Sequence, residues 1–431
     1  LVTSTTDNTA LVGILRDNPV AAERLCHLLG SSKVAGRYID RIPRFLPELA
    51  DDERIARTIE PDAIASEAIA YVMLRPTLDR RLNALRRFVR SAVLRVLARD
   101  LLELAGERTT ARELADVADA AVAAGLALAR DELGDGATDL PFSVIAMGKW
   151  GGRELDYPSD LDLLFVYEAP AGMDDPAART TANTLSQTFS AALSKVTPEG
   201  IAFKVDAGLR PEGKDGPLAR SLEGYRKYYD QWAQVWERQA LIRARFAGGN
   251  EDLGRRFEAL AAEYAFPDPI SSGTILEVRK MKARIESERI PPGEDPDFHF
   301  KLGKGGLVDV EFLVQMLQMK HGARIVNLRS QATLSALQAA TEIGLLDSDE
   351  GSALSDAYRF CTRARNRLFL QTGRDVGSLP TDPLELARLA LSLGYPGGSV
   401  SNLREDYRRV TRRARRVFED SFYDDSPSDG A

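Results

Sequence analysis

Two aspartates separated by one leucine, Asp160-Leu161-Asp162, run directly into the apolar stretch Leu163-Leu164-Phe165-Val166. In extended backbone, side chains at i and i+2 point to the same side. The two carboxylates therefore share a face at the end of a strand whose other residues belong in a core. Like charges so placed repel unless a cation lies between them. Hard oxygen donors of this kind suit Mg2+, which keeps several waters and takes further oxygens from phosphate groups. Upstream stands Gly148-Lys149-Trp150-Gly151-Gly152. Its Gly151-Gly152 pair lets backbone amides approach phosphate oxygens with no Cβ in the way. Acid pair, buried strand and glycine turn together read as a site for metal-assisted chemistry on a nucleoside triphosphate.

A two-metal nucleotidyl transfer calls for a further carboxylate. Asp206 is the candidate, in the alternating, strand-like segment "GIAFKVDAGLRP". Arg210, four residues on, offers a fork matched to phosphate, and Lys214 stands in the adjoining loop rich in Gly, Pro and charge. Ser159 either bonds phosphate or caps the turn. Lys149 contacts phosphate or is a surface lysine, and Glu154 braces the loop. Trp232 and Trp236, at i and i+4, read as one helix face packed in the core. In "KLGKGGLVDVEF", glycines precede a helix starting near Leu307 and lysines flank them. Free amides there attract anions, while Asp309 in the first turn also satisfies the helix dipole.

The surrounding pattern is helical. From Ala10 to about Leu133 apolar residues recur at three and four. Arg80 to Leu104 forms a long amphipathic helix whose Arg-rich face is solvated or paired with acids, and a further helix runs from a cap at Thr109 or Thr110 to about Glu132. "FSVIAMG" at 142 is strand-like. Helices follow at Ala177–Lys195 and Leu222–Arg245, and again from about Thr274 to Phe422. The fold class expected is mostly helical α+β, a small mixed sheet among helices. The divisions expected are an N-terminal helical region at 1–115, a core at 116–268, a C-terminal helical bundle at 269–424 and a disordered tail at 425–431.

The formal net charge of −7 over 431 residues argues against nucleic acid as a partner. No apolar run is long enough for a membrane span, and the first residues lack a signal pattern, so a cytoplasmic location is expected. The start at Leu1 reads as that of a fragment or processed chain. Cys26 and Cys361 form no disulfide framework, and the three histidines are scattered.

The string from Gly148 to Val166 resembles the signature of the glutamine synthetase adenylyltransferases, bifunctional enzymes that transfer and remove adenylyl groups. The resemblance continues through "VDAGLRPEGKDGPLARSLEGY", "WERQALIRAR", "EVRKMKARIESERIP", "KLGKGGLVDVEF" and "CTRARNRL", and covers about residues 60 to 420. It implies a polymerase-β-like nucleotidyltransferase core between helical regions. It implies ATP as substrate, Mg2+ as cofactor, and AMP placed on a tyrosine hydroxyl of glutamine synthetase. Asp160 and Asp162 match the family's metal-binding pair, and Asp206 its third acid. Family members carry two such units in tandem, one that removes AMP by phosphorolysis and one that adds it; this chain looks like one of them. "GGLVDVEF" and "KARIESERIP" resemble the carboxy-terminal, transferring unit, with removal of AMP as the alternative. The chain departs from the family's Arg-Leu-Arg-Pro pattern by carrying Gly208, which leaves Arg210 alone. A reading of another class is a regulatory module that binds nucleotide or the PII signalling protein without turnover, against which the intact acids speak. A third is an RNA-acting nucleotidyltransferase, against which the acidic balance speaks.

Overall fold

The computed structural model describes residues 13–423 apart from 14, 15, 289 and 292. The expected tail at 425–431 lies outside these residues. The protein is mostly helical α+β with one small mixed sheet of five strands, as the sequence implies. It divides into two compact units. The first comprises residues up to Ala233 with Arg243–Leu260 and Leu370–Gly373; the second comprises Gln234–Ile242, Ala261–Phe369 and the chain from Arg374 on.

In the first unit, β1 (Phe142–Ala146) and β2 (Leu161–Tyr167) pair antiparallel, with Phe142 opposite Tyr167 and Ala146 opposite Leu163. Both are largely apolar, Ser143 and Asp162 excepted, because both faces are covered. Every residue of β1 is buried, and in β2 only Asp162 is not. β3 (Val205–Asp206) and β4 (Ala219–Ser221) run parallel to β2 along its other edge, and β5 (Arg245–Gly249) closes the far side of β1. The strand expected around Asp206 is two residues long.

Helices α1 (Pro61–Met73), α2 (Leu78–Leu101), α3 (Glu107–Leu133) and, after β2, α5 (Asp175–Ser194) share one core with the sheet; α4 is the single turn Gly148–Gly151. Phe142, Phe165 and Phe189 form its aromatic centre, the first pair stacked and the second edge-to-face, both with centroids 5.6 Å apart. The Arg-rich helix departs from the reading of a solvated face. Arg86 is buried and donates to four carbonyls, those of Leu82, Ala192, Lys195 and Gly200. Two of these lie near the C-terminal end of α5, where carbonyls lack intrahelical donors. Arg90 pairs with Glu199 at 2.8 Å, and the buried Arg99 pairs with the buried Glu113.

The helix expected over Leu222–Arg245 is broken. α6 spans only Leu222–Gln231, a separate helix α7 spans Val235–Ala240, and β5 begins at Arg245. The cause is a second helix start: Gln234 and Glu237 form a capping box, the Glu237 carboxylate accepting from the Gln234 N–H at 2.8 Å. Trp232 and Trp236 therefore do not share a helix face. Trp232 is 73% exposed, and the Trp236 indole donates to the Gln234 side chain.

The second unit is helical. Its centre is an ion cluster among α8 (Ser272–Glu288), α9 (Leu307–His321) and α10 (Val400–Tyr423). Asp309 and Lys282 are each 1% exposed and meet at 2.6 Å. Lys282 also reaches Glu286 at 2.5 Å, Arg415 binds Asp309 at 3.0 Å and contacts Glu286, and the ring of Phe418 lies under both cations. Burial alone would raise the Glu286 carboxyl, but hydrogen bonds from Arg415 and Lys282 hold it below its ordinary range. The Gly305 N–H donates to the Asp309 carboxylate at 2.7 Å, and a Cβ on Gly305 would strike the Thr411 carbonyl of α10. The glycine-rich turn expected as an anion cradle is thus filled by the protein's own carboxylate.

Asp309→Asn should leave Lys282 and Arg415 short of a buried counter-charge. A loss of about 3–5 kcal/mol is expected in urea unfolding of the full chain. A loss below about 1 kcal/mol would mean that the cluster is not what holds this unit together.

Candidate active site

The register of β3 on β2 sets Asp206 directly opposite Asp162. The Leu161 N–H donates to the Lys204 carbonyl at 2.9 Å, which fixes that register one residue earlier. Leu161 is fully buried, so Asp160 and Asp162 flank it on the side away from the core. The structure thus brings the three acids named from sequence to the ends of two neighbouring parallel strands. Asp160 is 46% exposed, with its carboxylate 3.5 Å from the Lys204 ammonium. The Asp206 carboxylate turns back on its own loop and accepts the Gly208 N–H at 2.7 Å. Among the described residues no three His, Cys, Asp or Glu side chains group as a ready-made metal site. The donor set nevertheless suits a hard divalent cation: all oxygen, all acidic, and next to one another in the sheet.

The turn upstream adds a glycine that the sequence reading had not singled out. Gly148 has φ +54, and a Cβ there would collide with Asp162 Oδ2. The Met147 N–H donates to the Asp162 carbonyl at 2.9 Å. Only glycine lets backbone lie this close to the carboxylate in this conformation. Gly151 and Gly152 are buried instead, and a Cβ on Gly151 would strike the carbonyl of Arg243.

The remaining residues named from sequence are in the surrounding loops. The Ser159 hydroxyl accepts the Asp156 N–H at 3.1 Å and so closes the loop before Asp160. Lys149 is tied to the fully buried Asp156 carboxylate at 2.6 Å. Glu154 lies 3.6 Å from Arg243. Arg210 directs its guanidinium at the carbonyls of Ala207, Lys214 and Gly216, at 2.9 to 3.2 Å. It therefore shapes the loop that carries Lys214, which is exposed.

A clamp behind the turn went unnoticed in the sequence. Asp119, from the middle of α3, accepts the Trp150 indole N–H at 2.8 Å and both Arg245 terminal nitrogens at 2.9 Å. Arg153 lies 3.5 Å from the same carboxylate and also pairs with Asp116. Burial pushes the Asp116 carboxyl up, against the attraction of Arg153. One helix residue thus ties down the glycine turn and β5 together. The signal was available only as acids at 116 and 119, following Glu113, on a helix whose buried positions are mostly apolar.

Comparisons with known proteins place the chain in a family. A family model for glutamate-ammonia ligase adenylyltransferase matches residues 22–260, and one for the GlnD PII-uridylyltransferase matches residues 279–422. The chain is 38% identical over 430 residues to the bifunctional glutamine synthetase adenylyltransferase/adenylyl-removing enzyme of Streptomyces avermitilis, covering 95% of this chain and 43% of that protein. It is equally identical to the enzymes of the same name from Leifsonia xyli, over 414 residues, and Mycobacterium avium, over 412. These alignments cover 95% and 94% of this chain, and 40% and 41% of those proteins. The chain therefore spans well under half the length of the relatives it matches.

Gly148→Ala should displace the Asp162 carboxylate while leaving the core in place. The binding of ATP with Mg2+ that the sequence resemblance implies, followed by calorimetry, is expected to weaken at least about tenfold, or about 1.4 kcal/mol. Unchanged binding by a normally folded variant would separate the turn from the acids.

Proposed function

The chain belongs to the glutamate-ammonia ligase adenylyltransferase family, and from that premise we propose that it moves AMP from ATP to a tyrosine hydroxyl of glutamine synthetase. The observation that carries this reading is the register of Asp206 against Asp162, with Asp160 two residues away on the same face. We assign the nucleotidyltransferase core to 116–268, with flanking regions at 1–115 and 269–424, the first of which packs through α1 and α2 into one core with the sheet.

In the reaction the tyrosine oxygen attacks the α-phosphorus of ATP, and the bond from that phosphorus to the β-bridging oxygen breaks. Pyrophosphate leaves, and the phenolic proton passes to solvent or to a carboxylate. Asp160, Asp162 and Asp206 would hold Mg2+, which neutralises phosphate charge and stabilises the charge that develops on the leaving group. Gly148 sets the backbone against Asp162. Gly151, Gly152 and Ser159 hold the loop that leads into the strand. Arg210 keeps the 207–216 loop in shape, and Lys214 supplies an exposed cation for the triphosphate.

The partners in this reading are glutamine synthetase and ATP, with a cytoplasmic location. The match of 279–422 to a PII-uridylyltransferase model supports contact between the helical unit and a PII signalling protein. The relatives' names include removal of AMP as well as its transfer. The same acids would serve phosphorolysis, in which phosphate attacks the AMP phosphorus, the bond to the tyrosine oxygen breaks, and ADP and the free tyrosine are released.

Incubation with Mg2+, glutamine synthetase and ATP labelled at the α-phosphate should place label on a tyrosine, and pyrophosphate should reverse it. ADP release from adenylylated glutamine synthetase on adding phosphate would make this the removing unit. Asp160→Asn and Asp162→Asn should each lower transfer at least about a hundredfold, with an unchanged circular dichroism spectrum. Near wild-type turnover by either variant would refute the metal assignment.

A further inference from the structure

A cavity of about 340 Å3 opens in the N-terminal helical region, between the segment Pro43–Ala50, α1 and α2. Its floor is apolar, made by Ile59, Ile64 and Phe88. Its walls and rim carry six charges of both signs: Arg44, Arg57 and Arg95 against Glu48, Glu60 and Glu67. Among the described residues no ion pair joins any of these guanidiniums to any of these carboxylates.

Opposite charges that share a cavity ordinarily collapse onto one another. Here the fold holds them apart. Arg95 projects from α2, seven residues after Phe88 and on the same helix face. One of its terminal nitrogens donates to the Arg54 carbonyl at 2.7 Å, and its Nε is buried without a partner. Glu48 comes from the opposite segment and is half-buried. Burial pushes its carboxyl up, against the attraction of Arg95, Arg54 and Arg44. A buried donor without an acceptor is costly unless something completes it.

We propose that this cavity binds a small zwitterion with an apolar body, an α-amino acid bearing a branched or aromatic side chain. Three carboxylates disfavour a simple anion, and three guanidiniums disfavour a simple cation. A ligand carrying both groups satisfies both walls. Its carboxylate meets Arg95 and its ammonium meets Glu48, while its side chain covers the floor of Ile64 and Phe88. The volume is at the small end of ligand pockets and accommodates one amino acid. This site stands apart from the acids on the sheet and does not depend on AMP transfer.

Calorimetry and thermal shift on the full chain test it, with L-leucine and L-phenylalanine as probes. Isovalerate and isoamylamine, each carrying one charge, are the controls. Saturable binding of at least one amino acid is expected, with each control at least about tenfold weaker. Arg95→Gln and Glu48→Gln should each weaken binding about tenfold or more. Ala63→Trp, at an exposed lining position, should block it by filling the space, which keeps the test valid should either charge variant fold poorly. Absence of saturable binding at about 10 mM, a weakness beyond roughly −3 kcal/mol, would overturn the proposal. So would equal binding of a control, or undiminished binding by the folded variants.

Discussion

The carboxylate of Asp119 is the hinge on which the candidate site depends. It accepts hydrogen bonds from the Trp150 indole and from both terminal nitrogens of Arg245, with Arg153 beside it. Trp150 is wholly buried, so its indole N–H needs a partner within the protein. Charge-assisted bonds to Arg245 are among the stronger ones available. Their effect is geometric. The turn carrying Trp150 is fixed on α3, Gly148 is thereby held against Asp162, and β5 is aligned on the other side of β1. The acids at the strand ends inherit their position from a residue that touches none of them.

Much of the site was legible in the sequence because its logic is local. Alternation at Asp160-Leu161-Asp162 and the apolar run after it specify a strand with two acids on one face, and β2 has that form. Asp206 required a longer inference, that a second strand would pair beside the first. Parallel pairing is not written in either segment, and only the structure supplies the register. The long helices were legible for the usual reason, since their apolar spacing continues over many turns.

The illegible parts are those where one residue type serves two ends. Arginines along α2 suggest a wet face, yet Arg86 caps carbonyls after α5 and Arg99 pairs with Glu113 in the core. Glycines before α9 suggest an open anion site, yet Asp309 closes it from within. Arg210 suggests a phosphate fork, yet its three nitrogens meet loop carbonyls. In each case the sequence shows a donor, and the missing information is which acceptor arrives through tertiary packing. The break at Trp232–Gln234 is of another kind. Gln234 is not among the usual N-cap residues, and the continuous helical pattern around it hides the second start that its bond with Glu237 makes.

The two ionic centres differ in what they permit. In the helical unit, Asp309 meets Lys282, Arg415 and the Gly305 amide in a closed arrangement. Its charge is consumed by the fold, and breaking any partner leaves a buried charge uncompensated. At the strand ends two of the carboxylates have light partners: an exposed lysine for Asp160 and a loop amide for Asp206. Such contacts contribute little to stability and yield readily to a divalent cation. The sheet fixes where the acids stand, and weak local bonds leave their oxygens exchangeable. That combination of a rigid backbone and lightly held donors suits the metal-assisted chemistry proposed for these acids.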